Sequence, residues 1–185
     1  MDFITGLPPS NGYTVIMVVI DRLSKYAHLT SLKSNFNAKH VANLFMKTIV
    51  RLHGFPKTIV SDWDKVFTSQ FLKQLFKLSG TTLKLSTTYH PKTDDQYEAL
   101  NKCVEMYLRC FTFENPKDWY KLLPWAEFWY NSSFHHSTGI TPFKVVYGHD
   151  PPTLIKYSLN LEDPPTIQEQ LLQRDNILHK LKLNL

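Results

Sequence analysis

Three carboxylates, far apart along the chain, are the side chains best suited to do chemistry. Asp2 lies in a short apolar strand, Asp62 follows the strand Thr58-Ile59-Val60, and Glu98 sits in the first turns of a helix that comes after Tyr89-His90-Pro91. Strand ends place side chains at the rim of a sheet, where ligands bind. A helix carboxylate facing two strand carboxylates suits hard divalent cations, which favour oxygen ligands and keep water that a phosphate can displace. Taken singly, each of the three reads equally well as a solvated surface acid. Asp21 and Asp64 are of the same type, but they read as strand-closing and turn-forming residues rather than ligands.

The elements that must position these acids can be read from apolar periodicity. Tyr13 to Ile20 is rich in Val and Ile and follows Pro8-Pro9-Ser10-Asn11-Gly12, a turn before a buried strand. Lys25 to Leu32 makes a third strand, and Asp2 to Ile4 is the stub of a first, so the three form an antiparallel meander. Asn37 is a natural N-cap for a helix carrying Val41, Leu44, Phe45, Ile49 and Leu52 on one face, and Gly54 with Pro56 ends it. Thr58-Ile59-Val60 is a short strand. Phe71, Leu72, Leu75, Phe76 and Leu78 mark a second helix stopped near Gly80, and Thr82 to Ser86 another strand. From about Thr93 a long helix carries Leu100, Val104, Tyr107, Leu108 and Phe111, and further helices cover Asp118 to Asn131 and Thr141 to Tyr147. The expected organisation is a core over residues 1–150, a Pro-rich linker over 151–166, and an amphipathic tail helix over 167–185 with Leu171, Leu172, Leu178 and Leu181.

Composition narrows the class. The 185 residues carry 21 Lys and Arg against 16 Asp and Glu, a net charge of +5, and are 43% hydrophobic, enough to bury a core and too much for a disordered tail. The first hundred residues hold 12 basic and 7 acidic side chains, the remainder 9 of each, a bias compatible with a polyanionic partner or with plain surface solubility. The longest aliphatic run, Val15 to Ile20, is far short of the roughly 20 residues that span a bilayer, so no membrane contact is expected. Cys103 and Cys110 fall on one helix about 10 Å apart and cannot bridge, which fits a reducing, intracellular compartment. No secretory signal opens the chain.

Asp62 and Glu98 are separated by thirty-five residues, and the words around them are specific. Met1-Asp2-Phe3-Ile4 with Leu7-Pro8, Val18-Val19-Ile20-Asp21-Arg22-Leu23-Ser24-Lys25, Ile59-Val60-Ser61-Asp62, and Tyr89-His90-Pro91 leading to Glu98-Ala99-Leu100-Asn101 resemble the integrase catalytic core of Gypsy-type long-terminal-repeat retrotransposons, a retroviral-type integrase. So do Pro124-Trp125-Ala126-Glu127 through Asn131 and Ser137-Thr138-Gly139-Ile140-Thr141-Pro142-Phe143 through Gly148. The resemblance runs from residue 1 to about 153. It implies an α/β, RNase H-like fold: a mixed five-stranded sheet, its first strand truncated here, flanked by helices. It implies that Asp2, Asp62 and Glu98 are catalytic and hold two Mg2+ or Mn2+ ions for DNA 3′-end processing and strand transfer. It further implies DNA contacts by Lys102 and its neighbour Asn101. Tyr89, in the loop before the helix, reads equally as a DNA contact or a packed aromatic. The implied partners are element ends and chromosomal target DNA, with a homo-oligomer acting on paired ends in the nucleus, after a cytoplasmic particle stage. The aromatic set Trp119, Trp125, Phe128, Trp129 and Tyr130 reads as packing rather than a base-stacking platform.

The chain departs from the family at three places. Trp63 stands where Arg is usual, Asp95 where Gly is usual, and Tyr97 where a small hydroxyl residue is usual. Asp95 adds negative charge beside carboxylates and removes a residue of wide backbone freedom. The family's zinc-binding module before the core and DNA-binding module after it are expected to be missing. Two other readings therefore stand beside an active integrase core: a nucleic-acid-binding remnant without turnover, and an RNase H-type nuclease on the same fold.

Overall fold

The computed structural model describes residues 1–61, 64–85, 101–106, 116–160 and 162–183. Strands β1 (Asp2–Ile4), β2 (Val15–Ile20) and β3 (Ala27–Leu32) form the antiparallel meander, with Asp2 opposite Val18 and Ile20 opposite Ala27. Strand β4 (Thr58–Ser61) pairs in parallel with β5 (Thr82–Leu85). The two ladders meet where the backbone nitrogen of Met1 donates to the Val60 carbonyl at 2.7 Å. The five strands thus form a three-stranded antiparallel sheet, β1-β2-β3, and a two-stranded parallel one, β4-β5, together the mixed five-strand set that the resemblance implies.

The uninterrupted Val15–Ile20 run is explained by burial on both faces, where a strand has no polar side to alternate with. Ile16, Val18 and Ile20 point to one core with Ile4, Ala27, Leu29, Val104 and Trp119. Val15 and Met17 point to a second with Val41, Phe45, Ile59, Phe67, Leu72 and Phe76. Asn11 and Gly12, both at positive φ, close the tight turn before β2, where Ser10 and Tyr13 exchange two 2.9 Å backbone hydrogen bonds.

Helix α1 (Ala38–Phe45) begins as expected, with Asn37 Oδ1 accepting from Lys39 N and His40 N, both at 3.1 Å. It runs into a π-helical segment, π1 (Met46–Val50), and a last turn, α2 (Arg51–His53), before Gly54 at φ 76°. A π turn holds more residues than an α turn, so the inward face slips along the sequence. Leu52, expected on the apolar face, is consequently 53% exposed. Helix α3 (Gln70–Leu78) buries Leu72 and Phe76 and leaves Phe71 and Leu78 outside.

A helical segment over 101–106, α4, docks through Val104. Helix α5 (Trp119–Ser132) lies along β3 with Trp119, Leu123, Ala126 and Tyr130 buried. Its first turn is held from outside the helix: Ser10 Oγ accepts from Tyr120 N at 3.1 Å and donates to the Lys117 carbonyl, while Trp119 Nε1 donates to the Pro8 carbonyl at 2.7 Å. Burial of Trp119 and Tyr130 fits their reading as packing residues. Helix α6 (Pro142–Tyr147) has the Thr141 hydroxyl as cap, with Pro142 opening the first turn.

Helix α7 (Pro165–Leu183) starts two residues before the expected tail helix. Ile177 packs on the first core, whereas Ile167 and Leu172 are 46% and 38% exposed. The preceding segment is tied back to the helix by Tyr157 N donating to Asp175 Oδ2 at 2.6 Å, and by the Arg174 guanidinium on the Ile155 carbonyl at 2.7 Å. Among the described residues no helix is long and apolar enough to cross a membrane.

Candidate active site

β1 and α4 bring two of the expected site residues into contact. Pairing of Asp2 with Val18 puts its side chain on the face of the sheet that carries the first core, and Val104 seats α4 on that same face. Asn101, three residues before Val104 and therefore near it on the helix surface, donates from Nδ2 to Asp2 Oδ2 at 2.6 Å. Asp2 Oδ1 accepts from Phe3 N at 2.8 Å. Two donors thus fix the carboxylate and still leave lone pairs, since an ionised carboxylate offers about four acceptor positions. The bond gives the Asn101 amide a contact of its own within the chain, on the Asp2 carboxylate.

Lys102 follows on the exposed side of α4. Cys103, one position further, lies close to the Tyr130 phenol, which burial first and Cys103 second hold well above its ordinary titration range. Asp62, Glu98 and Tyr89 lie outside the described residues, as do Trp63, Asp95 and Tyr97. The positions next to them in the chain are described. Ser61 closes β4, one residue before Asp62, and Val60 is the residue whose carbonyl receives Met1 N.

Asn101 Oδ1 is buried at this corner without a hydrogen-bond partner among the described residues; Ser61 Oγ is likewise unpartnered, but Ser61 shares the face of β4 with Ile59 of the second core, opposite to Asp2. A buried acceptor left unpaired costs about 1–3 kcal/mol, so Asn101 Oδ1 is a position where a bound group would offset a standing penalty. Asn101 Oδ1 is a hard oxygen donor beside a carboxylate, the donor chemistry that Mg2+ and Mn2+ prefer.

The two acids set aside on sequence are engaged elsewhere. Asp21 Oδ2 accepts from Ser24 N at 2.8 Å and Ser24 Oγ at 2.6 Å, and Asp64 Oδ1 accepts from Val66 N at 2.8 Å. Both are turn-forming side chains. No group of three or more His, Cys, Asp or Glu side chains in metal-holding arrangement occurs among the described residues.

Comparison with known proteins adds the relatives. No protein-family model matches the chain. Transposon Tf2-3 polyprotein and Transposon Tf2-4 polyprotein of Schizosaccharomyces pombe are each 38% identical to it over 151 residues, 82% of this chain. The chain spans 11% of the length of these polyproteins. Among solved structures, the simian T-cell lymphotropic virus intasome in complex with PP2A regulatory subunit B56 gamma superposes with a TM-score of 0.67 at 14% identity, over 88% of this chain and 59% of that one. The HTLV-2 integrase catalytic core domain in complex with magnesium, in its trimeric form, superposes with a TM-score of 0.61 at 15% identity, over 78% of this chain and 93% of that one.

Proposed function

From a chain that is homologous to retrotransposon polyproteins and has the RNase H-like fold of retroviral integrase catalytic cores, we propose a retrotransposon integrase core that carries out metal-dependent DNA 3′-end processing and strand transfer. The observation that carries the reading is the Asn101–Asp2 hydrogen bond. Glu98 precedes Asn101 by three positions, the spacing at which helical side chains share a face. Asp62 follows Ser61, on the strand that Met1 N joins next to Asp2. The nearness of Asn101 to Asp2 and of β4 to Met1 supports reading the three acids as one site.

In this reading Asp2, Asp62 and Glu98 hold two Mg2+ or Mn2+ ions, with Asn101 Oδ1 as a nearby oxygen. A bound metal pair supplies Lewis acidity to the scissile phosphate and to the attacking and departing oxygens. Asn101 keeps the Asp2 carboxylate in one orientation, which removes the rotamer freedom that would otherwise be lost on binding. Lys102, exposed beside it, pairs with a DNA phosphate, and Tyr89 lies along the same strand. The partners are element-end and target DNA held by a homo-oligomer, in the nucleus when the target is chromosomal and in a cytoplasmic particle before that.

The test is strand transfer of an element-end duplex in Mn2+ by the purified chain. Asp2→Asn, Asp62→Asn and Glu98→Gln are each expected to abolish joining, and Asn101→Ala to reduce it about tenfold. Joining that survives Glu98→Gln overturns the proposal, and cleavage confined to an RNA–DNA hybrid replaces it with an RNase H-type nuclease. Trp63, Asp95 and Tyr97 favour a second reading, a nucleic-acid-binding remnant. Salt-dependent DNA binding without joining by the unaltered chain selects that one.

A further inference from the structure

A second set of chemically capable side chains lies away from the acid corner, between β3, the end of α2 and α5. His28 Nε2 on β3 and His53 Nε2 at the last residue of α2 are 2.9 Å apart. His28 is 8% exposed, while His53 stands at the surface, so the pair is reached from solvent on one side only. Behind His28, Glu127 Oε1 lies 3.5 Å from Nδ1, and Glu127 Oε2 is fixed by the Leu29 amide at 2.7 Å. Both imidazoles line a cavity of about 420 Å3, together with Tyr26 and Val146.

The slip of face introduced by π1 leaves His53, at the surface end of α2, with its ring against His28. Two imidazole nitrogens facing each other share a single proton, so one lone pair of the two is always directed at its neighbour rather than at water. At the metal–nitrogen distance of about 2.0–2.1 Å, two ligand atoms 2.9 Å apart subtend about 90° at the metal. That is the cis angle of tetragonal and octahedral coordination, the geometry of Cu2+ and Ni2+ with nitrogen and oxygen ligands. A carboxylate on the far nitrogen of a ligating His fixes its tautomer and raises its basicity, and Glu127 occupies that position.

We propose that His28 and His53 form a binding site for a Cu2+ or Ni2+ ion, with Glu127 orienting His28. No third His, Cys, Asp or Glu joins the pair among the described residues, so cavity water fills the remaining coordination positions. The carboxylate of Asp21, also on the cavity wall, is already engaged by Ser24. Nitrogen ligands separate this site from the oxygen-lined acid corner, which holds harder ions. A bound ion ties the end of α2 to β3 across the cavity mouth, and so raises stability with free metal concentration.

The experiment titrates the full chain with Cu2+ or Ni2+ alone in excess Mg2+, by calorimetry, by thermal melting, and for Cu2+ by electron paramagnetic resonance. One equivalent is expected, with two imidazole nitrogens in the resonance pattern and a melting temperature that climbs with metal. His53→Ala, at a surface position that keeps the fold, is expected to remove the equivalent, and Glu127→Gln to weaken it about tenfold. His149→Ala, remote from the pair in sequence, is expected to leave it unchanged. Absence of a stoichiometric ion, displacement by Mg2+, or full binding by the His53→Ala chain overturns the proposal. Equal loss in the His149→Ala chain does the same, since it would show that scattered surface histidines account for the uptake.

Discussion

The meander covered by α5 and the wing made of β4, β5 and α3 solve the same problem with very different densities of contact. β2 buries five of its six residues, whereas none of the four residues of β5 is buried. In the meander, hydrogen bonds run between segments about a hundred positions apart: Asn131 Oδ1 accepts from Ala27 N and Asn131 Nδ2 donates to Ala27 O, both at 2.8 Å. In the wing, cohesion comes from Phe67, Leu72 and Phe76 against Ile59, with the stacked rings of Phe3 and Phe67 at 4.8 Å reaching across from β1. The candidate site sits at the seam. Asp2 stands on the densely held side, and the strand leading to Asp62 stands on the lightly held one. Under the proposed function, this makes the Asp2 carboxylate a fixed reference for what binds there.

Substitutions on the two sides sharpen this contrast. Trp119→Ala should cost about 3–5 kcal/mol by chemical denaturation, since it empties a fully enclosed site and strips the Pro8 carbonyl of its donor. Asn131→Ala should cost about 2–3 kcal/mol, because two backbone groups of Ala27 lose their partner inside the protein. Leu83→Ala, in the half-buried strand of the wing, should cost only about 1 kcal/mol. If Leu83→Ala proved as damaging as Trp119→Ala, the two sides would be equally held and the division would fail. Amide hydrogen exchange gives an independent check, with β5 expected to exchange well before β2.

The smallest effect is a pH dependence confined to the meander side. His135 is pushed below its ordinary value of 6.5 mainly by burial, with Lys25 adding to the shift and a hydrogen bond to the Tyr130 carbonyl opposing it. Its folded form resists protonation more than the unfolded chain does. Stability should therefore be complete above about pH 6.5 and decline as pH falls below it. His53, lowered by burial and by the nearby His28, contributes with the same sign. Unfolding midpoints across this range should flatten in part in His135→Gln, and an unaltered slope would remove His135 from the account.

Much of the scaffold was legible because its determinants are local. The Asn37 cap, the Asn11-Gly12 turn, the stop at Gly54 and the unbroken Val15–Ile20 run each depend on neighbours within a few residues. The exposure of Leu52 and the meeting of His53 with His28 were not legible, since nothing in the spacing announces that five residues will wind as a π-helix. Phe71 and Leu78 misled for a related reason: the apolar stripe of α3 is wider than the surface available to cover it. At the site, Asn101 was visible as the neighbour of Lys102 in the family resemblance, but its acceptor, 99 positions away, was not. Glu127 and Asn131 carried a usable signal. They are polar residues four apart on the same helix face as Leu123 and Tyr130, and polar side chains there must find partners across the interface.

The clamp of α5 on β3 has a further consequence for the behaviour of many copies in one place. β3 terminates the sheet, and a terminal strand ordinarily exposes a row of backbone groups onto which a foreign strand can add. Here the amide and carbonyl of Ala27 and the amide of Leu29 are already taken, by Asn131 and Glu127 of the same chain. At high local concentration this border should resist edge-to-edge polymerisation, and the two side chains act as gatekeepers against fibrous assembly as much as fasteners of a helix.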